Sequence, residues 1–387
     1  MTVDRQILDD VRDRLARDGG SVTPAAVADA LRATRSLVTD AVVLEVLDAL
    51  RRDSLGAGPL DPLLTLDGVT DVLVNGPDEV YVDVGSGLEL TSVRFSDDDD
   101  VRRLAQRLAA AAGRRLDDGS PYVDVRLDDG TRLHAVLSPL SRPGTCLSLR
   151  VPARRMWTLD ELAAAGTVPG SAVGLLRDVV SARLAFVITG GTGSGKTTLL
   201  NALLSLVAPH ERVVVVEDAG ELRPDHPHVV SLEVRLPNIE GAGEVSLRTL
   251  VRQSLRMRPD RLVVGEVRGP EVVDLLAAMN TGHEGGCSTV HANSAMDLPA
   301  RFEALGVTAG LTRDAVSAQL AAAVDVVLHL RRDGAGQRRL TEVGVVHQPG
   351  SGPVRVVPAV SFQPGGAPVV GPGAELLDDR LQSAGRR

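Results

Sequence analysis

The eight residues GGTGSGKT, Gly190 to Thr197, constrain this 387-residue chain more than any other stretch. They fit the spacing G-x-x-x-x-G-K-[ST], with the apolar run AFVIT leading in and TTLLNALL leading out. Glycines are needed there because successive backbone N–H groups must turn inward around an anion, in conformations that a Cβ obstructs. The helix that follows adds the positive end of its dipole. The expectation is a site for ATP and Mg2+. Gly190, Gly191, Thr192, Gly193, Ser194, Gly195 and Thr198 wrap the phosphates, Lys196 reaches the β- and γ-phosphates, and Thr197 offers its hydroxyl to the metal. Composition sharpens the point: of 42 basic residues Lys196 is the single lysine, the other 41 being arginine. A chain that uses arginine everywhere else keeps a compact ammonium where a planar guanidinium does not fit.

The rest of the chain reads as five segments. Residues 1–55 form a helical extension by their apolar periodicity, AVVLEVLDALRRD being the clearest piece. Residues 56–151 make a small α+β domain of short alternating strands separated by Gly, Asn and Pro turns, with one helix, DDDDVRRLAQRLAAAAGRR. Ser96 is the expected N-cap of that helix. The aspartates 97–100 suit the dipole of a helix start better than a calcium site. A linker spans 152–170, and in 171–350 apolar strands alternate with helices, the pattern of an α/β sheet covered on its faces. The Pro/Gly-rich tail, 351–387, is expected to be loosely ordered. Aromatic residues are only 2%, so the cores must be built from Val, Leu and Ala.

Several classes are excluded. No apolar run approaches the ~20 residues of a membrane span, and the charged N-terminus lacks the apolar centre of a secretory signal. The expectation is a cytoplasmic chain without direct membrane insertion. Two cysteines, Cys146 and Cys287, cannot make a disulfide framework. A net charge of −9 counts against a nucleic-acid surface.

Acids end two later strands: Glu217 and Asp218 close RVVVVED, and Glu266 closes RLVVGE. Ligands of open α/β sheets bind at the carboxyl ends of strands, so these acids are placed for chemistry. Phosphoryl transfer to water needs one carboxylate to hold the Mg2+ shell and one to orient or activate the attacking water, and Glu266, with Glu217 beside it, is the stronger candidate for the Walker B role. Gly265 stands where an aspartate is commoner, so Mg2+ is expected on Thr197, phosphates and waters, with Glu266 in its outer sphere. In NTGHEGGCSTVHANS, a helix would align His283, Cys287 and His291 for zinc. Gly285 and Gly286 disfavour that helix, and CSTVHA reads as a strand.

These stretches together resemble the secretion and pilus ATPase superfamily. LRMRPDRLVVGEVRGPEVVDLLAAMNTGHEGGCSTVHANS carries its Walker B and His box, and VVVVEDAGELR its Asp box. GPLDPLLTLDGVTDVLVNGPDEVYVD and GRRLDDGSPYVDVRLDDGTRLHAV are similar to the CpaF-like, Tad-pilus branch, close to type IV secretion ATPases. The resemblance implies a RecA-like P-loop motor domain behind a PAS-like α+β domain. It implies a homo-hexamer that serves a separate inner-membrane platform protein, held peripherally at the membrane's inner face. It puts His283 and His291 near the γ-phosphate and arginines over the nucleotide. Candidates are Arg126, Arg132 and Arg150 in the N-terminal domain, and Arg256 and Arg268 flanking Walker B. The expected function is a Mg2+-dependent ATPase that powers Flp/Tad-type pilus assembly or protein secretion. A conjugation-type DNA-handling motor and a nucleotide-gated scaffold with little turnover are the rivals.

Overall fold

A computed structural model describes residues 56–384, apart from 86, 153–154, 238–240, 282–283, 335 and 351, together with the helix Pro24–Ala33 and scattered positions between 10 and 46. His283 and most of AVVLEVLDALRRD lie outside the described residues. Val11, Val27, Leu31, Val43 and Val46 form one small apolar cluster. The chain divides into two compact units, Met1–Ala153 and Arg154–Arg387.

The first unit is built on an antiparallel sheet of β1 (Asp71–Asn75), β2 (Val80–Asp83), β3 (Leu88–Leu90), β4 (Tyr122–Arg126), β5 (Arg132–Val136) and β6 (Cys146–Arg150), in the order β3-β2-β1-β6-β5-β4. Alternation along β1 buries Val72 and Val74 and leaves their neighbours half-buried, as a one-sided sheet requires. Helix Asp98–Ala111 covers that face, placing Val101, Leu104, Ala105 and Leu108 on it at helical spacing. Its N-cap is Asp97, not Ser96: the Asp97 carboxylate accepts from the Asp100 amide at 2.8 Å. Ser96 lies one residue too early to reach that amide. Asp98 is turned to Thr145, whose amide and hydroxyl it accepts, and so fastens the helix start to the lead-in of β6.

The second unit holds nine strands: β7 (Phe186–Gly190), β8 (Val213–Glu217), β9 (Val229–Glu233), β10 (Arg261–Val267), β11 (Cys287–Val290), β12 (Val326–Arg332), β13 (Arg338–His347), β14 (Arg355–Ser361) and β15 (Val369–Val370). Their order is β15-β14-β13-β12-β7-β11-β10-β8-β9. β12, β7, β11, β10, β8 and β9 run parallel, and β13 to β15 continue antiparallel. β7, β8 and β11 are buried at every position, which is why they read as unbroken apolar runs. Phe186, Ile188 and Val263 pack with Leu176, Leu199 and Leu203 on one face. Val187, Leu262 and Val264 pack with Leu275, Leu276, Phe302 and Leu320 on the other.

Two segments differ from expectation. The span 152–170 is only in part a linker, because Thr158 and Glu161 form a capping box that opens helix Leu159–Ala164. Leu159, Leu162 and Val168 then bury against Leu176, which draws the segment into the second unit's core. The tail is also folded. Its apolar run pairs with β13 as β14, with Pro358 beside a register irregularity, a position where a strand tolerates proline. Helix Ala374–Ala384 follows, with Leu377 buried. From it Arg380 ion-pairs with Asp325 and donates to the Val346 carbonyl at 2.8 Å. Asp325 in turn accepts from the Ala185 amide at 2.9 Å, at the entry to β7.

Candidate nucleotide site

β7 delivers the chain into a glycine turn whose backbone no other residue adopts easily. Gly190, Gly193 and Gly195 have φ of 154°, 68° and 94°. A Cβ on Gly190 would lie 2.4 Å from the Leu330 carbonyl oxygen and 2.6 Å from Ser194 Oγ. Helix Lys196–Leu204 begins at Gly195 with no side chain capping it, so its first-turn N–H groups face the turn unclaimed by any cap. Ser194 Oγ is buried without a hydrogen-bond partner in the protein. Uncapped amides, an orphaned hydroxyl and inward-turning glycines together fit a polyanion. Lys196, 7% exposed, donates Nζ to the carbonyls of Gly190 and Gly191 at 3.1 and 2.9 Å. Burial lowers its pKa, against the pull of Glu266 and Glu221.

Glu266 sits two strands from β7, at the carboxyl end of β10, with both oxygens engaged. His291 Nε2 lies 2.6 Å from Oε1, and Arg268 Nη2 lies 2.7 Å from Oε2. Arg268 Nε is also 3.3 Å from Asp218, so one guanidinium joins the ends of β10 and β8. Its backbone is pinned by Glu271, whose Oε1 accepts the amides of Arg268 and Gly269, each at 2.7 Å. Burial lowers the His291 pKa, as does the charge of Lys196, outweighing Glu266. Both effects favour the neutral imidazole, and the contact with Oε1 places an Nε2 proton between the two groups.

The aim of Glu266 comes from a bulge. Val263 and Val264 pair with Cys287 and Ser288, but the next partners are Val267 and Val290, so β10 spends one residue more than β11. Thr289 Oγ1 closes the gap by donating to the Gly265 carbonyl at 2.7 Å. Gly265 is explained by Glu217: a Cβ there would lie 2.7 Å from Glu217 Cγ.

Glu217 is 5% exposed and faces its own loop, accepting from the amides of Glu221 at 3.2 Å and Leu222 at 3.1 Å. Burial raises its pKa to about 7, against those amide bonds. Below its ordinary pKa of 4.5 the carboxyl is neutral in folded and unfolded chains alike. Between there and about 7 the unfolded chain ionises first, so this group's stabilising contribution is lost as pH rises, by about 3 kcal/mol in all. Replacing Glu217 by glutamine is expected to make melting temperature fall less between pH 5 and pH 8 than in the wild type. Parallel pH profiles would show that the carboxyl titrates normally.

The remaining sequence candidates fall as follows. Thr197 and Thr198 lie in the first turn of the P-loop helix. Arg126, Arg132 and Arg150 occupy one ladder row across β4, β5 and β6. Arg132 is paired to Asp124 and Arg150 to Asp71 at 3.2 Å. Arg256 is not brought to Glu266. It precedes β10 and donates to the Arg252 carbonyl, at the amino end of the strand whose carboxyl end carries Glu266. Cys287 lies in β11, wholly buried, and burial pushes its thiol up to about 12. Among the described residues no three His, Cys, Asp or Glu side chains converge on a metal position. A Mg2+ ion there would rest on Thr197 and phosphates, with Glu266 outside it. Sequence reasoning missed Glu271 and His329. His329 is 4% exposed, and its Nδ1 lies 2.8 Å from Thr189 Oγ1, directly ahead of the P-loop. A histidine within the apolar run VDVVLHL was the available signal.

Residues 53–351 match the family model described as type II/IV secretion system protein. A putative conjugal transfer protein of Mycobacterium tuberculosis is 58% identical over 318 residues, which cover 81% of this chain and 90% of that protein. The conjugal transfer protein TrbB of Rhizobium radiobacter is 34% identical over 240 residues, covering 61% of this chain and 71% of its own. Among solved structures, the pilus retraction motor PilT with bound ADP aligns at a TM-score of 0.52. That alignment covers 73% of this chain and 80% of PilT at 19% identity, a likeness of fold.

Proposed function

The chain belongs to the type II/IV secretion system protein family and has its RecA-like fold, and on that premise we propose that it is a Mg2+-dependent ATPase. It works as a homo-hexameric ring and drives pilus assembly or protein secretion through a separate membrane platform protein. Among the described residues no helix is long and apolar enough to cross a membrane, which suits a motor that acts through such a partner.

One observation carries the reading: Glu266, the candidate base, is held by two donors that a γ-phosphate would also attract. The amides of residues 193–198 and Lys196 bind the β- and γ-phosphates. Thr197 would hold Mg2+, which would neutralise charge on those phosphates. Arrival of the γ-phosphate gives His291 and Arg268 a second acceptor and frees Glu266 to take a proton from water. Hydrolysis then requires both phosphate and carboxylate in place.

The test is Mg2+-ATPase rate per protomer across a wide range of protein concentration. The rate is expected to climb with concentration as neighbours complete the sites. A flat, measurable rate would remove the ring mechanism. The name of the 58%-identical relative favours a second reading, a conjugation-type motor. Stimulation of the same rate by DNA, with steep salt dependence, would select it.

A further inference from the structure

We propose that Arg332 and Arg338, on the β12–β13 hairpin, grip the pyrophosphate portion of the bound nucleotide from the side opposite Glu266. This rests on the reading of Gly190–Thr197 as a nucleotide site.

The two arginines are direct partners in the antiparallel ladder. The neighbouring pair Arg331 and Arg339 has Asp333 beside it at 3.7 Å from Arg339, and like charges paired in this way are destabilising unless an anion compensates them. Both lie against the glycine turn. Arg338 donates Nε to the Gly193 carbonyl at 3.0 Å, and a Cβ on Gly195 would sit 3.3 Å from its Cδ. A Cβ on Gly193 would sit 3.7 Å from Arg332 Nη1. Arg332 Nε is spent on the Gly336 carbonyl at 3.2 Å, closing the hairpin turn. Each arginine is thus anchored through Nε, with its guanidinium carried beside the phosphate nest.

Sheet order places the hairpin and Glu266 on opposite sides of the strand that enters the P-loop. β12 neighbours β7 on one side, while β11 and β10, with His291 and Glu266 at their ends, lie on the other. Cleavage is organised on the β10 side. The hairpin side is left to the phosphates that stay in ADP. The arginines therefore act on ADP and ATP alike, in the same chain that supplies the P-loop.

Fluorescent ADP is titrated into the full-length wild type, Arg332→Ala, Arg338→Ala, the double alanine variant, the double lysine variant and Lys196→Ala, and inorganic pyrophosphate is used as competitor. The double alanine variant is expected to lose about 10- to 100-fold in affinity for both probes, consistent with two charge-assisted contacts. Lysines at both positions should recover part of the loss, which a merely structural role would not give. Loss of ADP affinity with pyrophosphate affinity unchanged would overturn the proposal, placing the arginines on the nucleoside. If only Lys196→Ala weakens ADP, the proposal fails and the nucleotide site stands. If neither weakens it, both fail.

Discussion

Glutamine at position 266 is expected to lower ATP turnover by about 10²- to 10⁴-fold while nucleotide affinity stays within a few-fold of wild type. The substitution keeps the shape of the side chain and its acceptor oxygen but removes the group able to take a proton from water. His291 donates to Oε1 and Arg268 to Oε2, so glutamine must offer its one oxygen to one of them and present N–H to the other. Arg268 also holds Asp218, which keeps its charge compensated. The nest of glycines and the first turn of the P-loop helix are on a different strand and are untouched. Single-turnover hydrolysis and equilibrium binding of fluorescent ATP separate the two effects. Turnover within about threefold of wild type would put water activation elsewhere and favour the nucleotide-gated scaffold.

Replacing Arg261 by methionine is expected to destabilise the second unit by about 3–5 kcal/mol. Arg261 opens β10 and is the largest fully buried side chain among the described residues. Its Nε donates to Glu211 at 2.7 Å and its Nη2 to the Val180 carbonyl at 2.9 Å. Burial alone pushes the Glu211 carboxyl up, but the bond and charge of Arg261, with Arg183 beyond it, hold it below its ordinary value. Without Arg261 a carboxylate that is only 6% exposed would lose its close partner. The double variant Arg261→Met, Glu211→Leu removes both charges, and most of the loss should return. Urea denaturation of the two variants and the wild type measures this. A double variant no more stable than the single one would show that Arg261 acts by packing. Packing is also at stake because Gly285, at φ 71°, leaves the room that Arg261 fills: a Cβ there would lie 2.2 Å from its Nη1.

Much of this was legible from residues alone. GGTGSGKT announced the turn, since three of its glycines hold positive φ and no other residue type tolerates the nest. The strands of the second unit were legible because burial on both faces demands continuous Val, Leu and Ile. The tail was not: proline and glycine read as disorder, yet Pro358 sits where the ladder is already irregular, and β14 survives around it. TLDE, residues 158–161, carried a capping-box signal that the expectation of a linker overrode. The roles of Glu217 and Arg256 were not legible because each depends on which end or side of a strand faces the site. Nor was Arg268 as a bridge, since its two partners end strands 48 residues apart in sequence, at 218 and 266.

The bulge in β10 has a consequence for chain length. Leu262 and Val264 face one core, and strict alternation would send Glu266 after them and Val267 to the opposite core with Val263. Val267 instead joins Leu262 and Val264. One surplus residue of backbone resets the phase and leaves Glu266 at the sheet's rim, half-buried. Shortening the strand by that residue would restore a regular ladder and aim the carboxylate at apolar helices. The position of the carboxylate at this rim is thus set as much by how many residues β10 contains as by which ones.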